Sequence, residues 1–201
     1  DGTDEQNELK LQRLRSVGRP MADMDIAIKD PDGSILPYDQ EGEICIRGDR
    51  VMKGYNKRED DTGATIHDGW LHTGDLGKID EGGYLFITGR LKDMVIRGGE
   101  NISTAEIENV LEDHDAISEA AVIGVKDTEW GEVVKAIVVL STDNIQPSES
   151  DLTDYVKSRL ASYKAPALYE WVDELPRNHL GKVLKNDLRD QYGQPTEGTI
   201  V

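Results

Sequence analysis

The chain has 201 residues and a formal net charge of −17, with 40 acidic and 23 basic side chains. This length predicts one or two domains, and a charge of this sign repels nucleic acid and anionic lipid, so neither is expected as a partner. No apolar stretch is long enough to span a bilayer, and the polar, acidic first residues do not resemble a signal peptide. The lone Cys45 excludes an intramolecular disulfide, so we expect a reduced, cytoplasmic setting.

The first half of the chain carries short strand patterns separated by turn residues. Residues 1–16 are polar and predict a loop or a frayed helix. Alternating apolar and polar residues predict strands that begin at Met24 and that cover 43–47 and 84–88. Turns are predicted at 30–33 and 81–83, and a short helix at 57–65. Short strands of this kind indicate a small antiparallel sheet or barrel.

Amphipathic stretches and longer apolar runs replace this pattern after residue 90. They predict helices that begin near Ser103 or Thr104 and that cover 148–160 and 183–192. They also predict strands at 120–125, 133–140 and 168–172.

The two patterns together predict an α+β protein in two parts. Residues 1–91 lack the strands to close a large domain, so they are expected to form the small, β-rich end of a larger N-terminal domain. Residues 92–201 are expected to form a compact α+β C-terminal domain with a short central sheet, and their number is ordinary for one domain.

Three motifs carry side chains suited to binding nucleotides and acids. Residues 69–75 read GWLHTGD, residues 89–93 read GRLKD and lead into GGENI at 98–102, and residues 176–182 read PRNHLGK. The last is not a phosphate-binding P-loop, because Pro176 replaces the first glycine and Val183 replaces the serine or threonine.

Each motif has a chemical and a purely structural interpretation. The Asp75 carboxylate can accept two hydrogen bonds from a vicinal diol, or it can belong to an ordinary turn. Arg90 can join it there or form a salt bridge at a strand end. Gly98 and Gly99 lack a Cβ and so allow a thin ligand to approach, or they form a tight turn. Lys182 can bridge carboxylate and phosphate oxygens with a mobile ammonium, or it can be an ordinary lysine that follows a glycine at the start of a helix.

Together with GRP at 18–20 and GEICIRG at 42–48, these motifs resemble the ANL superfamily, which comprises acyl-CoA synthetases, peptide-synthetase adenylation domains and luciferase-type enzymes. The resemblance covers residues 17 to about 189 and fits the acyl-CoA synthetase branch best. It implies a two-step reaction. A carboxylic acid and MgATP give an acyl-adenylate and pyrophosphate, and CoA then displaces AMP to give a thioester, with the C-terminal domain rotating between the steps.

The resemblance also implies a role for individual residues. It assigns catalysis of adenylation to Lys182, ribose binding to Asp75 and Arg90, the hinge to Lys92, and the channel of the CoA pantetheine arm to Gly98, Gly99 and Lys164. Ala165 departs from relatives that carry a further basic residue after the lysine. Relatives are silenced by acetylation at the position of Lys182, so a lysine acetyltransferase is an expected partner.

No metal ligand is predicted in this chain, because its histidines show no metal-site spacing and the phosphate loop and Mg²⁺-positioning motif of the superfamily are absent. We therefore expect a portion of a longer enzyme that is inactive alone, with its Mg²⁺ site elsewhere. Two alternatives stay open, namely an enzyme that loads an acyl carrier protein and a non-catalytic binding module that keeps the fold.

Overall fold

The computed structural model describes residues 4–141 and 145–195. Its contacts divide the chain into two compact units, unit 1 at Asp1–Lys92 and unit 2 at Asp93–Val201. The predicted α+β class is confirmed, since each unit combines helices with one five-stranded sheet. None of the helices in the described ranges is long and apolar enough to cross a membrane.

Unit 1 is built around an antiparallel sheet. Its elements are α1 (Asp4–Arg13), β1 (Met24–Lys29), β2 (Gly42–Gly48), α2 (Glu59–Thr65), β3 (Ile66–His67), β4 (Trp70–Ile79) and β5 (Leu85–Arg90). The strand order is β1-β2-β4-β3, and β5 also pairs with β4. The strands predicted at Met24, 43–47 and 84–88 and the helix predicted at 57–65 are confirmed with small changes of boundary. Strand β4 was not predicted.

Alternation along β1 and β2 places apolar side chains on both faces of this sheet. Ile28, Ile44 and Leu85 form a buried cluster on one face, and Ala27, Cys45 and Trp70 form a second. Because Ala27 pairs with Cys45 and Ile28 with Ile44 in the register, each cluster joins neighbouring strands. Burial on both faces keeps the strands next to the candidate site rigid.

Unit 2 is a sheet with helices on both faces. A 3₁₀ turn at Leu91–Asp93 leads into it, and its elements are β6 (Val95–Arg97), β7 (Glu100–Ile102), α3 (Thr104–Glu112), β8 (Ile117–Asp127), β9 (Gly131–Leu140), α4 (Glu149–Lys157), a 3₁₀ turn (Ser162–Lys164), β10 (Leu168–Val172) and α5 (Lys185–Tyr192). Strand β9 pairs antiparallel with β8 and parallel with β10, and the β6–β7 hairpin joins it through Arg97 and Gly131. The predicted strands and helices of this half are confirmed, whereas β6 and β7 were not predicted.

Two apolar clusters cover the faces of this sheet. Helices α3 and α4 contribute Ile107, Leu111, Leu152 and Val156 to one cluster. On the other face α5 buries Leu188 against Ile123 and Ile137. The alternating side chains of β8 and β9 therefore serve both layers.

Carboxylates of α3 cover the free edge of β8. Glu112 accepts a hydrogen bond from Ala120 N at 3.1 Å, and Glu108 accepts one from Val122 N at 2.7 Å. Glu108 also forms an ion pair with Lys185 at 2.6 Å, in the first turn of α5. These bonds satisfy backbone groups that an edge strand leaves open, and they fix the start of the helix that follows Lys182.

Candidate functional site

Asp75 lies in a two-residue bulge of β4. Glu43 of β2 pairs with Leu76 and Cys45 pairs with His72, so one residue of β2 faces three residues of β4 between these pairs. We call residues 73–75 the Asp75 bulge. Its central residue, Gly74, has φ +71°, a conformation that glycine adopts without strain.

Side chains satisfy the backbone groups that the Asp75 bulge removes from the strand ladder. Glu43 Oε1 accepts a hydrogen bond from Gly74 N at 3.0 Å, and Thr73 Oγ1 accepts one from Asp75 N at 3.1 Å. The Thr73 hydroxyl donates in turn to the carbonyl of Ile44 at 2.8 Å. The bulge is therefore held to β2 through side chains where regular pairing is lost.

Asp75 and Arg90 face each other across β4 and β5. They are register partners, and Arg90 Nε lies 2.9 Å from Asp75 Oδ1. Their side chains are 31% and 40% exposed, so a ligand can reach both. The sequence allows either a ribose contact or a strand-end salt bridge for these residues. The structure contains the salt bridge, and both the carboxylate and the guanidinium stay open to a hydroxyl-bearing ligand.

A second cluster lies beside the bulge and was not indicated by residue spacing. His72 Nδ1 is 2.7 Å from Glu43 Oε2 and 3.4 Å from Cys45 Sγ. His67 stacks on the His72 ring with centroids 3.8 Å apart. Within the described ranges, Glu43, Cys45 and His72 are the set whose ligand atoms lie close enough together to hold a metal. A thiol, an imidazole and one carboxylate do not fit Mg²⁺, which takes oxygen ligands.

The pair Gly98 and Gly99 forms the two-residue turn of the β6–β7 hairpin. Their φ values are +58° and +90°, and two positive values in succession are the conformation of a type I′ hairpin turn. A Cβ at Gly98 would stand 3.1 Å from Trp130 Cε3. The structural interpretation of a tight turn is thus met, while Trp130 occupies the space beside Gly98 and, among the described residues, a Cβ at Gly99 would meet nothing within 4 Å.

A cleft of about 530 Å³ adjoins this hairpin in unit 2. Its walls bring Gly98 and Trp130 together with the 3₁₀ turn at 162–164 and with Lys157 of α4. Arg97 beneath the turn is only 9% exposed, donates to the Tyr163 carbonyl at 2.8 Å and lies over the Trp130 ring. Arg97 therefore shapes the cleft as a buried brace and is not an exposed cation.

Lys164 does not line this cleft, although the residues on either side of it do. Its ammonium lies 2.5 Å from Glu106 Oε2 on α3, and its side chain is 21% exposed. Of the residues predicted for the pantetheine channel, the structure thus places Gly98 at the cleft and turns Lys164 toward α3. The neutral Ala165 that follows it is buried at the cleft wall.

Lys182 lies in a loop closed by its own backbone, which we call the Lys182 loop (residues 176–184). Asn178 is its centre, because Asn178 N donates to the Lys182 carbonyl and Asn178 Oδ1 accepts from Lys182 N, both at 2.9 Å. Arg177 braces the loop by donating to the Gly181 carbonyl and to Glu119 on β8, both at 2.7 Å. The Lys182 side chain is exposed, and among the side chains that the structure describes its ammonium has no ion-pair partner.

Lys92 is exposed in the 3₁₀ turn that links β5 to β6. The division between the two units falls directly after it. The residue predicted as a hinge thus lies in the linking turn rather than inside a strand or helix.

Glu43 is a site residue to which sequence reasoning assigned no role, although its motif was noted. The detectable signal is that Glu43 stands two residues before Cys45 on the same face of a strand, and Cys45 is fully buried. A carboxylate on that face requires polar partners, which His72 and Gly74 supply.

Comparisons with known proteins agree on one family. Residues 3–56 match the family described as AMP-binding enzyme, and residues 106–182 match the AMP-binding enzyme C-terminal domain. A fatty acid–[acyl-carrier-protein] ligase, ScoC, from Streptomyces coeruleorubidus is 44% identical over 89% of this chain and 34% of its own. The 2-succinylbenzoate–CoA ligase of Bacillus subtilis is 44% identical over 91% of this chain and 37% of its own.

A solved structure gives the same result. The o-succinylbenzoate CoA synthetase of Bacillus subtilis, in complex with its acyl-adenylate intermediate, has a TM-score of 0.81 and 44% identity over 91% of this chain and 37% of that chain. The chain thus spans about a third of the length of the curated relatives that it matches.

Proposed function

We propose that this chain, which belongs to the ANL superfamily of adenylate-forming AMP-binding enzymes, works within an AMP-forming acyl-CoA synthetase. The observation that carries the proposal is the Asp75–Arg90 pair, a carboxylate and a guanidinium held 2.9 Å apart and left open to a ligand. A carboxylate in this setting accepts hydrogen bonds from both hydroxyls of a ribose, while Arg90 holds it in place. Residues 1–91 and 92–201 would then be the end of the N-terminal domain and the mobile C-terminal domain.

Lys182 supplies the charge for the first step. A carboxylate oxygen of the acid bonds to the α-phosphorus of ATP, and the bond from that phosphorus to the bridging oxygen breaks to release pyrophosphate. Negative charge grows on the α-phosphate oxygens during this exchange, and an ammonium placed there stabilises it. An exposed lysine without an ion-pair partner within the described ranges is suited to this task, because no bond has to be broken before it acts.

The hairpin at Gly98 and Gly99 serves the second step. The CoA sulfur bonds to the acyl carbonyl carbon, the bond to the AMP oxygen breaks, and the thiol proton leaves to solvent. The turn, together with the cleft beside Trp130, would line the path of the pantetheine arm, and Lys164 would support that wall through Glu106. The exposed turn at Lys92 would absorb the rotation that exchanges the two steps.

A carrier-protein acceptor is the second candidate, and two observations favour it. The relative from Streptomyces coeruleorubidus is a fatty acid–[acyl-carrier-protein] ligase as similar to this chain as the CoA ligase from Bacillus subtilis. Ala165 also leaves the position after Lys164 uncharged, so a CoA nucleotide would find one basic contact fewer there than in some relatives. Both acceptors present the same phosphopantetheine arm, so the hairpin suits either.

The proposal is tested by carboxylate-dependent exchange of labelled pyrophosphate into ATP. The assay uses the complete natural protein that contains this chain, with MgATP and a panel of fatty and aryl acids. We expect Lys182→Ala to lower the exchange rate roughly 10²- to 10³-fold, as loss of one transition-state donor does elsewhere. Lys126→Ala is the matched control, since Lys126 is also exposed, and it should leave the rate unchanged.

Two outcomes of this assay would contradict the proposal in different ways. No exchange with any acid would contradict the enzymatic proposal and favour a binding module, and equal rates for the two lysine variants would remove Lys182 from catalysis. Supplying CoA or a holo-carrier protein to the loaded enzyme then decides the acceptor. An acetyltransferase acting on Lys182 would remove the same charge, so acetylated protein should behave as Lys182→Ala does.

A further inference from the structure

We infer that Glu43 is a positioning residue for nucleotide binding, which it serves by fixing the Asp75 bulge through Gly74 and His72. The inference rests on the proposed function, since it concerns the ribose contact of Asp75. Glu43 does not face the ligand. It acts on the backbone that sets where the Asp75 carboxylate points.

Glu43 bonds two places along β4, the residue before the bulge and the centre of the bulge. Its Oε2 is 2.7 Å from His72 Nδ1, directly before the bulge, and its Oε1 accepts from Gly74 N at 3.0 Å, at the centre. The Glu43 and His72 side chains are 19% and 14% exposed, so water competes little for these bonds. Hydrogen bonds to a carboxylate in such a place are about twice as strong as neutral ones.

The bulge needs such a clamp because β2 cannot supply it from its backbone. The register shift between Glu43 and Cys45 leaves three residues of β4 opposite one residue of β2. Gly74, where φ is +71°, has no side chain to restrict rotation of the Thr73–Gly74 peptide, whose N–H is the one that Glu43 holds. Without the Glu43 bond this peptide can turn, and the rotation would displace the next residue, Asp75, whose own N–H is held by Thr73 Oγ1 within the same bulge.

A metal site made from the same atoms is the competing interpretation, and the contacts disfavour it. His72 presents Nδ1 to the cluster, and that nitrogen is already at hydrogen-bond distance from Glu43. The other oxygen of the same carboxylate accepts from Gly74 N, so both Glu43 oxygens are already engaged by protein groups.

Glu43→Gln tests the clamp in the complete natural protein. A glutamine replaces one of the two carboxylate oxygens by an NH2 donor, so it cannot present an acceptor at both the Gly74 position and the His72 position. We expect faster deuterium exchange in peptides covering residues 70–79 and a dissociation constant for AMP raised roughly tenfold, the size expected for one hydrogen bond to a charged group. Glu41→Gln is the matched control, because it removes the same charge at an exposed position two residues away.

A double-mutant cycle separates positioning from general stability. If Glu43 acts through Asp75, then Glu43→Gln should change AMP affinity by a factor near one once Asp75→Asn is present. An equal loss of affinity in both backgrounds, or exchange of residues 70–79 that matches Glu41→Gln, would overturn the inference. Should Glu43→Gln also lower the midpoint of thermal unfolding, Glu43→Asp replaces it, since it keeps the charge but is too short to reach both partners.

The two proposals fail differently in this experiment. A wild-type protein that neither binds AMP nor exchanges pyrophosphate would overturn the proposed function, and with it the role of Glu43 in ribose binding. Nucleotide binding that is intact in wild type and insensitive to Glu43→Gln would overturn the role of Glu43 alone.

Discussion

The Asp75 bulge and the Lys182 loop each present one charged side chain for which a catalytic or binding role is proposed, but different groups hold the two segments in shape. Side chains of β2 and of the bulge itself fix the first, and Arg90 pairs with its carboxylate. The backbone and side chain of Asn178 close the second, and Lys182 extends beyond it. The Asp75 carboxylate is thus paired and its backbone is anchored by side chains, whereas the Lys182 side chain is exposed.

This difference matches the two tasks proposed for them. A ribose-binding carboxylate is needed in both half-reactions, because AMP stays bound until the thioester forms. A lysine that acts only on the first step has to leave afterwards, so an exposed side chain that forms no ion pair with the described side chains suits it. The charge proposed for both steps, on Asp75, is therefore the anchored one, and the charge proposed for one step, on Lys182, is the exposed one.

After Lys182→Ala, the next largest effect is expected from Asp75→Asn, which keeps the size of the side chain and removes its charge. It loses the ion pair with Arg90 and replaces one of two acceptors by a donor. We expect the KM for ATP to rise roughly tenfold to a hundredfold, as for loss of hydrogen bonds to a charged group. The acyl-adenylate should also bind less tightly in the second step, whereas Lys182→Ala should spare that step.

Single-turnover assays of each half-reaction measure this contrast, the second starting from synthetic acyl-adenylate. Asp49→Asn is the control, because Asp49 is exposed in the turn after β2. If Lys182→Ala slowed both half-reactions as much as Asp75→Asn does, the two loops would not differ in the way proposed.

The Asp75 region also marks where sequence patterns stop being informative. Strands β1 and β2 are predictable because their residues alternate between apolar and polar. Strand β4 is not predictable from residues 69–75, because Gly69, Gly74 and the Thr-Gly-Asp run are typical of turns. It forms a strand because β2, β3 and β5 all pair with it, and such tertiary pairing overrides local preference.

The second prediction concerns alkaline pH, where the units should lose stability at different points. Burial, assisted by the Glu43 charge and opposed by Lys29, raises the pKa of Cys45 to about 11 from 9.0. In unit 2, burial raises the pKa of Tyr169 to about 12 from 10.0, with the Thr153 hydroxyl opposing it and Glu149 adding to it. Both folded units therefore favour the protonated group.

The sign of the effect follows from these directions. Stabilisation by Cys45 is complete below pH 9 and is lost as pH rises toward 11, whereas that by Tyr169 is lost between 10 and 12. Two pKa units correspond to at most roughly 2–3 kcal/mol. In urea unfolding, the free energy of unfolding should decline less steeply between pH 9 and 11 in Cys45→Ala than in wild type. Tyr169→Phe should change the decline only between pH 10 and 12. Identical slopes for wild type and Cys45→Ala would refute the prediction.

Unit 2 shows a second limit of sequence reasoning at the β6–β7 hairpin. Gly98 and Gly99 are readable as a turn, yet the strands around them have three residues each, too few for a periodic signal. The contacts around this site also join residues that are distant in sequence, since Trp130 packs on Gly98 and Lys164 forms an ion pair with Glu106. The family motifs predict this site, but only the packing shows that Gly98 lines the cleft whereas the Lys164 side chain pairs with Glu106 on α3.

The smallest predicted effect compares the two glycines of this hairpin. An alanine at either position adopts a positive φ and is strained, but only the Cβ at Gly98 meets Trp130, at 3.1 Å. A Cβ at Gly99 has open space to 4 Å among the described residues. We therefore expect Trp130→Ala to relieve part of the cost of Gly98→Ala, by about 0.5–1 kcal/mol, and none of the cost of Gly99→Ala.

Urea unfolding of the two double-mutant cycles measures these coupling energies. Because Trp130→Ala removes the contact with the Arg97 guanidinium in both cycles, that loss cancels and the difference reports the Gly98 contact alone. Equal coupling at Gly98 and Gly99 would mean that the contact with Trp130 is not specific to Gly98, and it would contradict the prediction. Coupling at Gly98 alone would place a packed, shape-selective wall at the cleft, and thioester formation should then be slower in Gly98→Ala than in Gly99→Ala.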